Sequence, residues 1–386
     1  MNNTNNIFFA LLRSALKNQP LTKQEKKQFN IETLPEIYKL SSKHDLAHLV
    51  SVAIEKNELL CADNQYLKQF QLKQLKAVFR YEKLNYELNR ICNAFEKENI
   101  PYILLKGSVI RKLYPEPWMR TSCDIDVLVH REDFAKAKEL LVSGCGYVFH
   151  SETTHDQGFI APNGTHVELH YTLIEENTVN GISQILNNVW NCATLVPETS
   201  CKYKMTEEMF FFYHIAHMAK HVKNGGCGVR PFLDLWLMQK EKPQLNQQTE
   251  QMLEKAQIQQ FAKSAIKLSQ NWFENASLEE DGALLQSYVL SGGVYGNVEN
   301  RVALNQRKKG KIGYLISRIF ASKSNLEKLY PSQKISAWLI PFYQVRRWVN
   351  LCAKNRRENV LKELKISSTV TEQQVSDAGK LRKYFE

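Results

Sequence analysis

The 386-residue sequence predicts an α+β fold, with a small mixed-sheet core embedded between an N-terminal helical segment and a larger C-terminal helical domain. Residues 64–98 contain neither Gly nor Pro and are rich in Leu, Lys, Gln and Glu, which predicts one long helix or two nearly continuous ones. Short apolar runs at 101–105 and 125–129 predict two strands. Helical patterns return from residue 181 onward.

The remaining elements of the predicted core lie between and after these two strands. Residues 108–114 predict a short helix, which Pro115 and Pro117 end. Residues 131–143 predict a second helix, and Gly144 supplies its stop signal. Three further strands are predicted at 147–149, 158–160 and 166–170.

The sequence after the core predicts helices and contains no period of 20 to 50 residues of the kind that indicates a solenoid. The predicted helices cover 206–222, 229–240, 247–273, 300–320 and 335–364. We therefore predict four segments: an N-terminal helical region at 1–99, an α/β core at 100–178, a helical domain at 179–300 and a basic helical C-terminal region at 301–386.

The net charge of +11 is placed unevenly along the chain. Residues 301–386 contain 19 Lys and Arg against 6 Asp and Glu, so the earlier residues sum to −2. Basic residues such as Arg307, Lys311, Arg346 and Arg347 are interleaved with aromatic residues there. This pattern suits RNA, an anionic membrane surface, attraction of nucleotides, or the solvated face of a packed helical domain. The C-terminal region is therefore a candidate contact for an anionic partner.

The cysteine pattern and the N-terminus predict a cytoplasmic protein. The eight cysteines include no C-x-x-C pair, which favours reduced thiols over a disulfide scaffold or a zinc site. The N-terminus lacks the basic n-region of a signal peptide. No apolar run approaches the ~18 residues that a membrane span requires, so we predict no transmembrane segment.

The strongest chemical signal is Lys106-Gly107-Ser108 at the end of the first predicted strand, followed by Asp124 and Asp126 on the second. Carboxylates at positions i and i+2 of a strand point to the same face. Their mutual repulsion is relieved by a cation, and oxygen-rich sites of this kind are typical of Mg²⁺. The Gly-Ser turn offers backbone N–H groups to a phosphate.

These motifs resemble the DNA polymerase β-like nucleotidyltransferase superfamily, in which a third acidic residue comes from a later strand, as Glu168 does here. The chain is more closely similar to a bacterial family of uncharacterised nucleotidyltransferases, from about residue 40 to about residue 350. The fifteen residues between Ser108 and Asp124 are slightly long for the superfamily and suggest an extra turn. The similar positions are Lys106 to Ser108, Arg120, Asp124, Asp126, Glu168, His170, His217, His221, Arg230, Asp234 and the segment 341–346.

The resemblance implies roles for the core residues. Asp124 and Asp126 would hold two Mg²⁺ ions that bridge a nucleoside triphosphate and the acceptor. Glu168 would bind the second metal or accept the proton of an acceptor hydroxyl. Triphosphate binding would fall to Lys106, Gly107, Ser108 and Arg120.

The histidines have less specific roles. His214, His217 and His221 share one helical face, but no Cys or acidic partner completes a zinc site, so a packed role is favoured. The resemblance implies that His217 and His221 line the cleft, together with Arg230 and Asp234. An ion pair between Arg230 and Asp234 at i and i+4 is an equal alternative. His170 shares the strand face of Glu168, and either reaches the site or is buried and hydrogen-bonded.

The sequence therefore predicts a Mg²⁺-dependent nucleotidyltransferase that moves a nucleoside monophosphate from an NTP to a hydroxyl or phosphate acceptor and releases pyrophosphate. The acceptor is a small molecule, a peptide or protein, or an RNA. A tailoring transferase of the same fold, acting on a phosphorylated peptide or sugar, is one alternative. A noncatalytic nucleotide-binding module is another, and the three carboxylates argue against it because they repel one another without a metal.

Overall fold

The structure is a computed structural model that describes residues 3–17, 19–59, 64–174, 180–241, 245–274, 280–294, 296–330, 335–351, 363, 365–381 and 384. Within these residues, every helix is too short or too polar to span a membrane. The helices are α1 (Asn3–Lys17), α2 (Lys23–Gln28), α3 (Leu34–Lys43), α4 (Ala47–Lys56), α5 (Gln65–Lys97), α6 (Gly107–Ile110), α7 (Phe134–Glu139), α8 (Asn180–Leu186), α9 (Glu207–Lys223), α10 (Arg230–Glu241), α11 (Gln247–Lys255), α12 (Gln259–Glu274), α13 (Glu280–Gly292), α14 (Val298–Ile319), α15 (Lys323–Leu329), α16 (Ile340–Leu351) and α17 (Glu372–Lys380).

The chain divides into two compact units. The first comprises Met1–Ala216 and Val229–Gly282, and the second comprises His217–Gly228 and Ala283–Glu386. The sheet and the predicted carboxylates belong to the first unit. The division into four segments stays a prediction.

Helix α5 is one continuous helix of 33 residues, as the absence of Gly and Pro predicts. The Asn64 side chain accepts a hydrogen bond from the Tyr66 N–H at 2.8 Å and caps its first turn. Leu84, Ile91 and Phe95 on α5 are buried in the hydrophobic core beneath the sheet. The long helix is therefore the support on which the sheet packs.

The sheet is mixed and has the strand order β3-β4-β5-β2-β1-β7-β6. Strand β2 runs antiparallel to β1 and parallel to β5. This sheet with its helical flanks confirms the predicted α+β fold. The strands are β1 (Tyr102–Leu104), β2 (Asp124–Val129), β3 (Val148–Glu152), β4 (Asp156–Ile160), β5 (His166–His170), β6 (Ala193–Leu195) and β7 (Lys202–Met205).

The hairpin of β6 and β7 is absent from the sequence prediction, which places only helices after residue 181. β7 pairs in parallel with β1, with Tyr102 opposite Lys202. The Glu96 side chain accepts a hydrogen bond from the Ser200 N–H at 2.7 Å and fixes the turn before β7. Two strands of three and four residues carry too little periodicity to be recognised, and the pairing of β7 with β1 is a long-range contact.

The two faces of β2 differ in chemistry because side chains alternate along a strand. Ile125, Val127 and Val129 are buried in the hydrophobic core. Asp124 and Asp126 therefore lie on the opposite face, as the i and i+2 spacing predicts.

The second unit uses part of its basic charge structurally. The Arg347 side chain donates to the Ile319 and Arg318 carbonyls at 3.0 and 2.7 Å, at the end of α14. Arg318 forms an ion pair with Glu363 at 2.6 Å. The helix predicted at 335–364 begins as a 3₁₀ turn (Ala337–Leu339) and α16. Its continuation at 352–362 and 364 lies outside the described residues.

The segment between α6 and β2 contains two 3₁₀ turns, Arg111–Leu113 and Pro117–Met119. His48 of α4 bonds through Nε2 to the Met119 carbonyl at 2.7 Å. Burial, partly opposed by this hydrogen bond, lowers the pKa of His48 to about 4. The folded protein therefore holds His48 as a neutral imidazole.

This pKa makes the stability depend on pH. The unfolded chain protonates His48 near pH 6.5, whereas the folded chain does so only near pH 4, so stability is lost as pH falls between these values. From pH 7 to pH 5 we expect the His48 contribution to the free energy of unfolding to fall by about 2 kcal/mol. In urea unfolding, His48→Gln should show a correspondingly smaller loss, while the exposed control His150→Gln should match the wild type. An identical loss in all three proteins would contradict the assignment.

Candidate active site

The register of β2 and β5 brings three predicted residues together. Asp126 lies opposite Glu168 in this parallel pair. Ligand atoms of Asp126, Glu168 and His170 all lie within 4.8 Å of one another. Asp124 stands two residues before Asp126 on the same strand face. The sheet thus assembles a group of carboxylates with one histidine beside it.

Asp126 is the buried centre of this group, with 3% of its surface exposed. Its Oδ1 accepts hydrogen bonds from Lys106 Nζ at 2.8 Å and His170 Nε2 at 3.0 Å. Burial raises the pKa of Asp126. Lys106 and then His170 lower this pKa by more than burial raises it, so the net pKa lies well below the usual range. Asp126 is therefore ionised at neutral pH, and its Oδ2 is the oxygen that can bind a metal.

Asp124 has the opposite electrostatic environment. Burial and then the charge of Asp126 raise the pKa of Asp124, while Lys106 opposes the shift. A carboxylate that is half-buried beside another carboxylate gains most from an added cation. The side chains of Asp124, Asp126 and Glu168 present oxygen atoms, which are the ligands that Mg²⁺ prefers. The residues present therefore fit Mg²⁺.

Lys106 reaches Asp126 from a strained turn. Its φ of 42° lies in the left-handed region, which residues with a side chain rarely adopt. Such strain is typical of functional sites, where the surrounding structure imposes it. Burial lowers the pKa of Lys106, but the charge of Asp126 more than offsets this and the net pKa is raised. The ammonium group is thus a fixed positive charge within the carboxylate group.

Gly107 and Ser108 form the close-packed part of the same turn. A Cβ at Gly107 would lie 3.1 Å from Arg120 Nη1, so a larger residue would force the Arg120 side chain to shift. Arg111 donates from Nε to the Gly107 carbonyl at 2.8 Å and holds the turn in place. The Ser108 Oγ is buried, and among the described residues no hydrogen-bond partner reaches it. This hydroxyl is available to a ligand.

Arg120 and Asp234 form a buried ion pair 114 residues apart in the chain. Arg120 donates from Nη2 and Nε to the two carboxylate oxygens of Asp234, at 2.8 and 3.2 Å. Tyr114 donates its hydroxyl to the same carboxylate at 2.7 Å. The remaining nitrogen of Arg120, Nη1, donates to the Thr121 carbonyl at 2.8 Å. The structure therefore pairs Asp234 with Arg120, in place of the Arg230 partner that the i and i+4 spacing suggests.

Arg230 instead binds the segment that precedes β2. Its Nη1 donates to the Thr121 carbonyl at 3.0 Å and pairs with Asp45 at 3.5 Å. Its Nε is buried, and within the described chain it has no hydrogen-bond partner. The charge of Arg230 also opposes the rise in the pKa of Asp124. Arg230 therefore acts electrostatically on the carboxylate group.

The predicted histidines of α9 are divided between the two units. His214 belongs to the first unit, where its Nε2 bonds to the Pro231 carbonyl at 2.9 Å. His217 and His221 belong to the second unit, where their Nε2 atoms lie 3.2 Å apart. Their role in lining a cleft stays a prediction.

His155 and Asp156 lie beside this site, although the sequence did not predict them as site residues. Asp156 lies opposite His170 in the antiparallel pair of β4 and β5. Its Oδ2 lies 2.9 Å from His155 Nε2 and 3.9 Å from His170 Nδ1. Strand β4 begins at Asp156, two residues before the predicted start, so the prediction left both residues in a loop. Their adjacency in the sequence, a His followed by an Asp, was the signal that could have identified them.

Comparison with known proteins decides the family. Residues 32–274 match the family described as "Uncharacterised nucleotidyltransferase". The chain belongs to this family. It is accordingly an enzyme, a nucleotidyltransferase, as the motifs predict. The family match covers the sheet, the carboxylate group and the Arg120–Asp234 ion pair.

Two further comparisons add little. No curated protein matches the sequence. Among solved structures, the family member resembles the antibiotic-resistance factor ANT(2'')-Ia, known from a solution structure, with 14% identity and a TM-score of 0.32. The match covers 46% of this chain and 91% of that chain. A likeness this weak says nothing about the substrate of the present enzyme.

The Arg120–Asp234 ion pair supplies a stability prediction. Arg120→Ala and Asp234→Ala should each lower the free energy of unfolding by about 3 kcal/mol or more, because each leaves a buried charge unpaired. The double variant should lose less than the sum, by at least about 1 kcal/mol, when urea unfolding is compared. Arg230→Ala combined with Asp234→Ala should show a smaller coupling. Equal coupling in the two cycles, or none in the first, would contradict the assigned pairing.

Proposed function

We propose that this nucleotidyltransferase is Mg²⁺-dependent and transfers a nucleoside monophosphate from an NTP to a hydroxyl or phosphate acceptor, releasing pyrophosphate. One observation carries the proposal. The ionised Asp126 stands with Asp124 and Glu168 on one sheet face, beside a strained turn that presents a lysine and a buried, unbonded hydroxyl. Metal carboxylates and phosphate ligands are the two parts that phosphoryl transfer requires.

The three carboxylates have separate tasks in this proposal. Asp124 and Asp126 hold two Mg²⁺ ions, which act when bound as Lewis acids on phosphoryl oxygens. The Glu168 side chain is 39% exposed and so is open to an incoming acceptor. It binds the second metal or accepts the proton of the acceptor hydroxyl.

The turn binds the triphosphate. The Ser108 Oγ and the Gly107 N–H donate to the β- and γ-phosphates, since the serine hydroxyl is buried and unbonded. Lys106 neutralises phosphate charge from a position fixed by its ion pair with Asp126. These donors lie on one turn, so a triphosphate contacts all of them at once.

Arg120 is better assigned to positioning than to phosphate binding. Its Nε, Nη1 and Nη2 all donate to protein oxygens. Through Asp234, which is fully buried, Arg120 ties the loop before β2 to α10. The ion pair thereby fixes the chain that leads into Asp124.

The acceptor belongs to one of the classes that the sequence leaves open, with tailoring of a phosphorylated peptide or sugar as one case. Trp338 and Phe342 are exposed, and with the basic residues of the C-terminal region they make that region a candidate contact for an anionic acceptor. A noncatalytic nucleotide-binding module, the other alternative left by the sequence, does not fit a member of the nucleotidyltransferase family. In such a module no metal ion would relieve the repulsion between Asp124 and Asp126.

Loss of the carboxylates tests the proposal. Asp126→Asn and Glu168→Gln should each lower pyrophosphate release from NTPs with Mg²⁺ by at least about 100-fold, because metal binding or proton transfer is lost. The exposed control His150→Gln should retain the wild-type rate. Wild-type turnover in both carboxylate variants would contradict the catalytic role proposed for Asp126 and Glu168. Calorimetric binding of ATP, GTP, CTP or UTP by the wild type without any turnover would contradict the proposed reaction.

Ser108→Ala tests the phosphate contact. Loss of one hydrogen bond to a charged phosphate costs about 1.5–3 kcal/mol, so KM for the NTP should rise by roughly 10-fold or more. The matched control is Ser122→Ala, because Ser122 Oγ accepts a hydrogen bond from Arg111 at 2.9 Å and is already used by the protein. That control should lower stability in urea more than Ser108→Ala does. An unchanged KM for Ser108→Ala would remove Ser108 from the phosphate site.

A further inference from the structure

Two histidines and an aspartate meet at one end of the β4 and β5 pair. The ligand atoms of His155, Asp156 and His170 lie within 4.8 Å of one another. Asp156 and His170 are buried, and His155 is half-buried. We propose that these residues form a second metal site, which takes a transition-metal dication such as Zn²⁺ and is separate from the Asp124, Asp126 and Glu168 group.

The hydrogen bond of His170 defines which of its nitrogens can bind the metal. Because ionised Asp126 only accepts hydrogen bonds, His170 donates its Nε2–H to Asp126 at 3.0 Å. The other nitrogen, Nδ1, is buried, and no described residue bonds to it. It lies 3.9 Å from Asp156 Oδ2. A buried nitrogen without a partner costs free energy, and an ion between Nδ1 and Asp156 would remove this cost.

His155 is oriented in the same way. Its Nδ1 bonds to Thr153 Oγ1 at 3.0 Å, and its Nε2 lies 2.9 Å from Asp156 Oδ2. Thr153 Oγ1 also accepts the backbone N–H of Asp156 at 3.3 Å, which fixes the turn. Metal-binding histidines characteristically donate their second ring N–H to an oxygen. Both histidines have such an oxygen, in Thr153 for His155 and in Asp126 for His170.

The strand backbone positions the ligands. Asp156 and His170 are direct partners in the antiparallel ladder, so their side chains share one face of the sheet. Two imidazoles with one carboxylate are a ligand set found in zinc sites that keep an open position. An all-carboxylate group instead favours Mg²⁺. The neighbouring sites are therefore expected to select different ions.

His170 connects the two sites. An ion on Nδ1 fixes the ring and keeps the proton on Nε2, where it bonds to Asp126. Loading of the second site therefore orients a ligand of the first. The ion-binding inference itself does not rest on the proposed function, because it concerns the protein without nucleotide.

Zinc binding to the full chain tests the site. Chelator-stripped protein is titrated with Zn²⁺ at pH 8, with millimolar Mg²⁺ as a competitor and no nucleotide present. Calorimetry should show about one Zn²⁺ per chain in the wild type. His155→Gln and Asp156→Asn should weaken binding by about 10- to 100-fold. His150→Gln and Asp124→Asn should leave it unchanged.

Other results overturn the site. These are no Zn²⁺ binding by the wild type, unaltered binding by His155→Gln, or loss of binding in Asp124→Asn. Loss of Zn²⁺ binding in His217→Gln alone would place the ion at the histidines of the second unit and would likewise contradict the proposed site.

A measurement on the wild-type protein tests the site even where a variant fails to fold. Zn²⁺ should protect His155, but not the exposed His150, from diethyl pyrocarbonate modification measured by mass spectrometry. Equal modification of His155 with and without Zn²⁺ would contradict the site. Failure of nucleotidyl transfer alone would leave these results standing, since neither measurement includes an NTP.

Discussion

The buried carboxylate of Asp126 is the constraint on which the rest of the site depends. Leaving such a charge unpaired would cost several kcal/mol, on the order of 3–5 kcal/mol when one partner of a buried pair is removed. Lys106 and His170 both bond to its Oδ1. Lys106 does so from a backbone conformation with φ of 42°, so the ion pair also holds a strained turn in place. The turn at Lys106 and the carboxylates of the site are therefore one electrostatic unit.

A second buried ion pair holds the frame around this unit. The loop between the turn and β2 is held at three points. Tyr114 and Arg120 bind Asp234, and His48 binds the Met119 carbonyl. Arg120 donates one hydrogen bond to a protein oxygen from each of Nε, Nη1 and Nη2. These bonds help to position the chain that leads into Asp124, the first residue of β2.

Local patterns were enough to predict the strands that carry the carboxylates. Asp124 and Asp126 share a face because strand side chains alternate, and the short motif around Glu168 and His170 lies on its own strand. The partner of Asp234 was beyond such reasoning, because Arg120 lies 114 residues away and no spacing rule links them. The hairpin of β6 and β7 was missed for a similar reason. β7 is defined by its pairing with β1 and β6 by its pairing with β7, and both strands are too short to show a period.

The negative charge of the three carboxylates is relevant to how the site handles a nucleotide. The chain carries a net charge of +11, but the sheet face of the first unit gathers three carboxylates around one lysine. Lys106 neutralises Asp126, while burial and Asp126 together raise the pKa of Asp124. A binding module that only held a polyanionic nucleotide would be weakened by this excess of negative charge. The proposed use of divalent cations would turn this excess into a favourable one, because the cations would join the carboxylates to the phosphates.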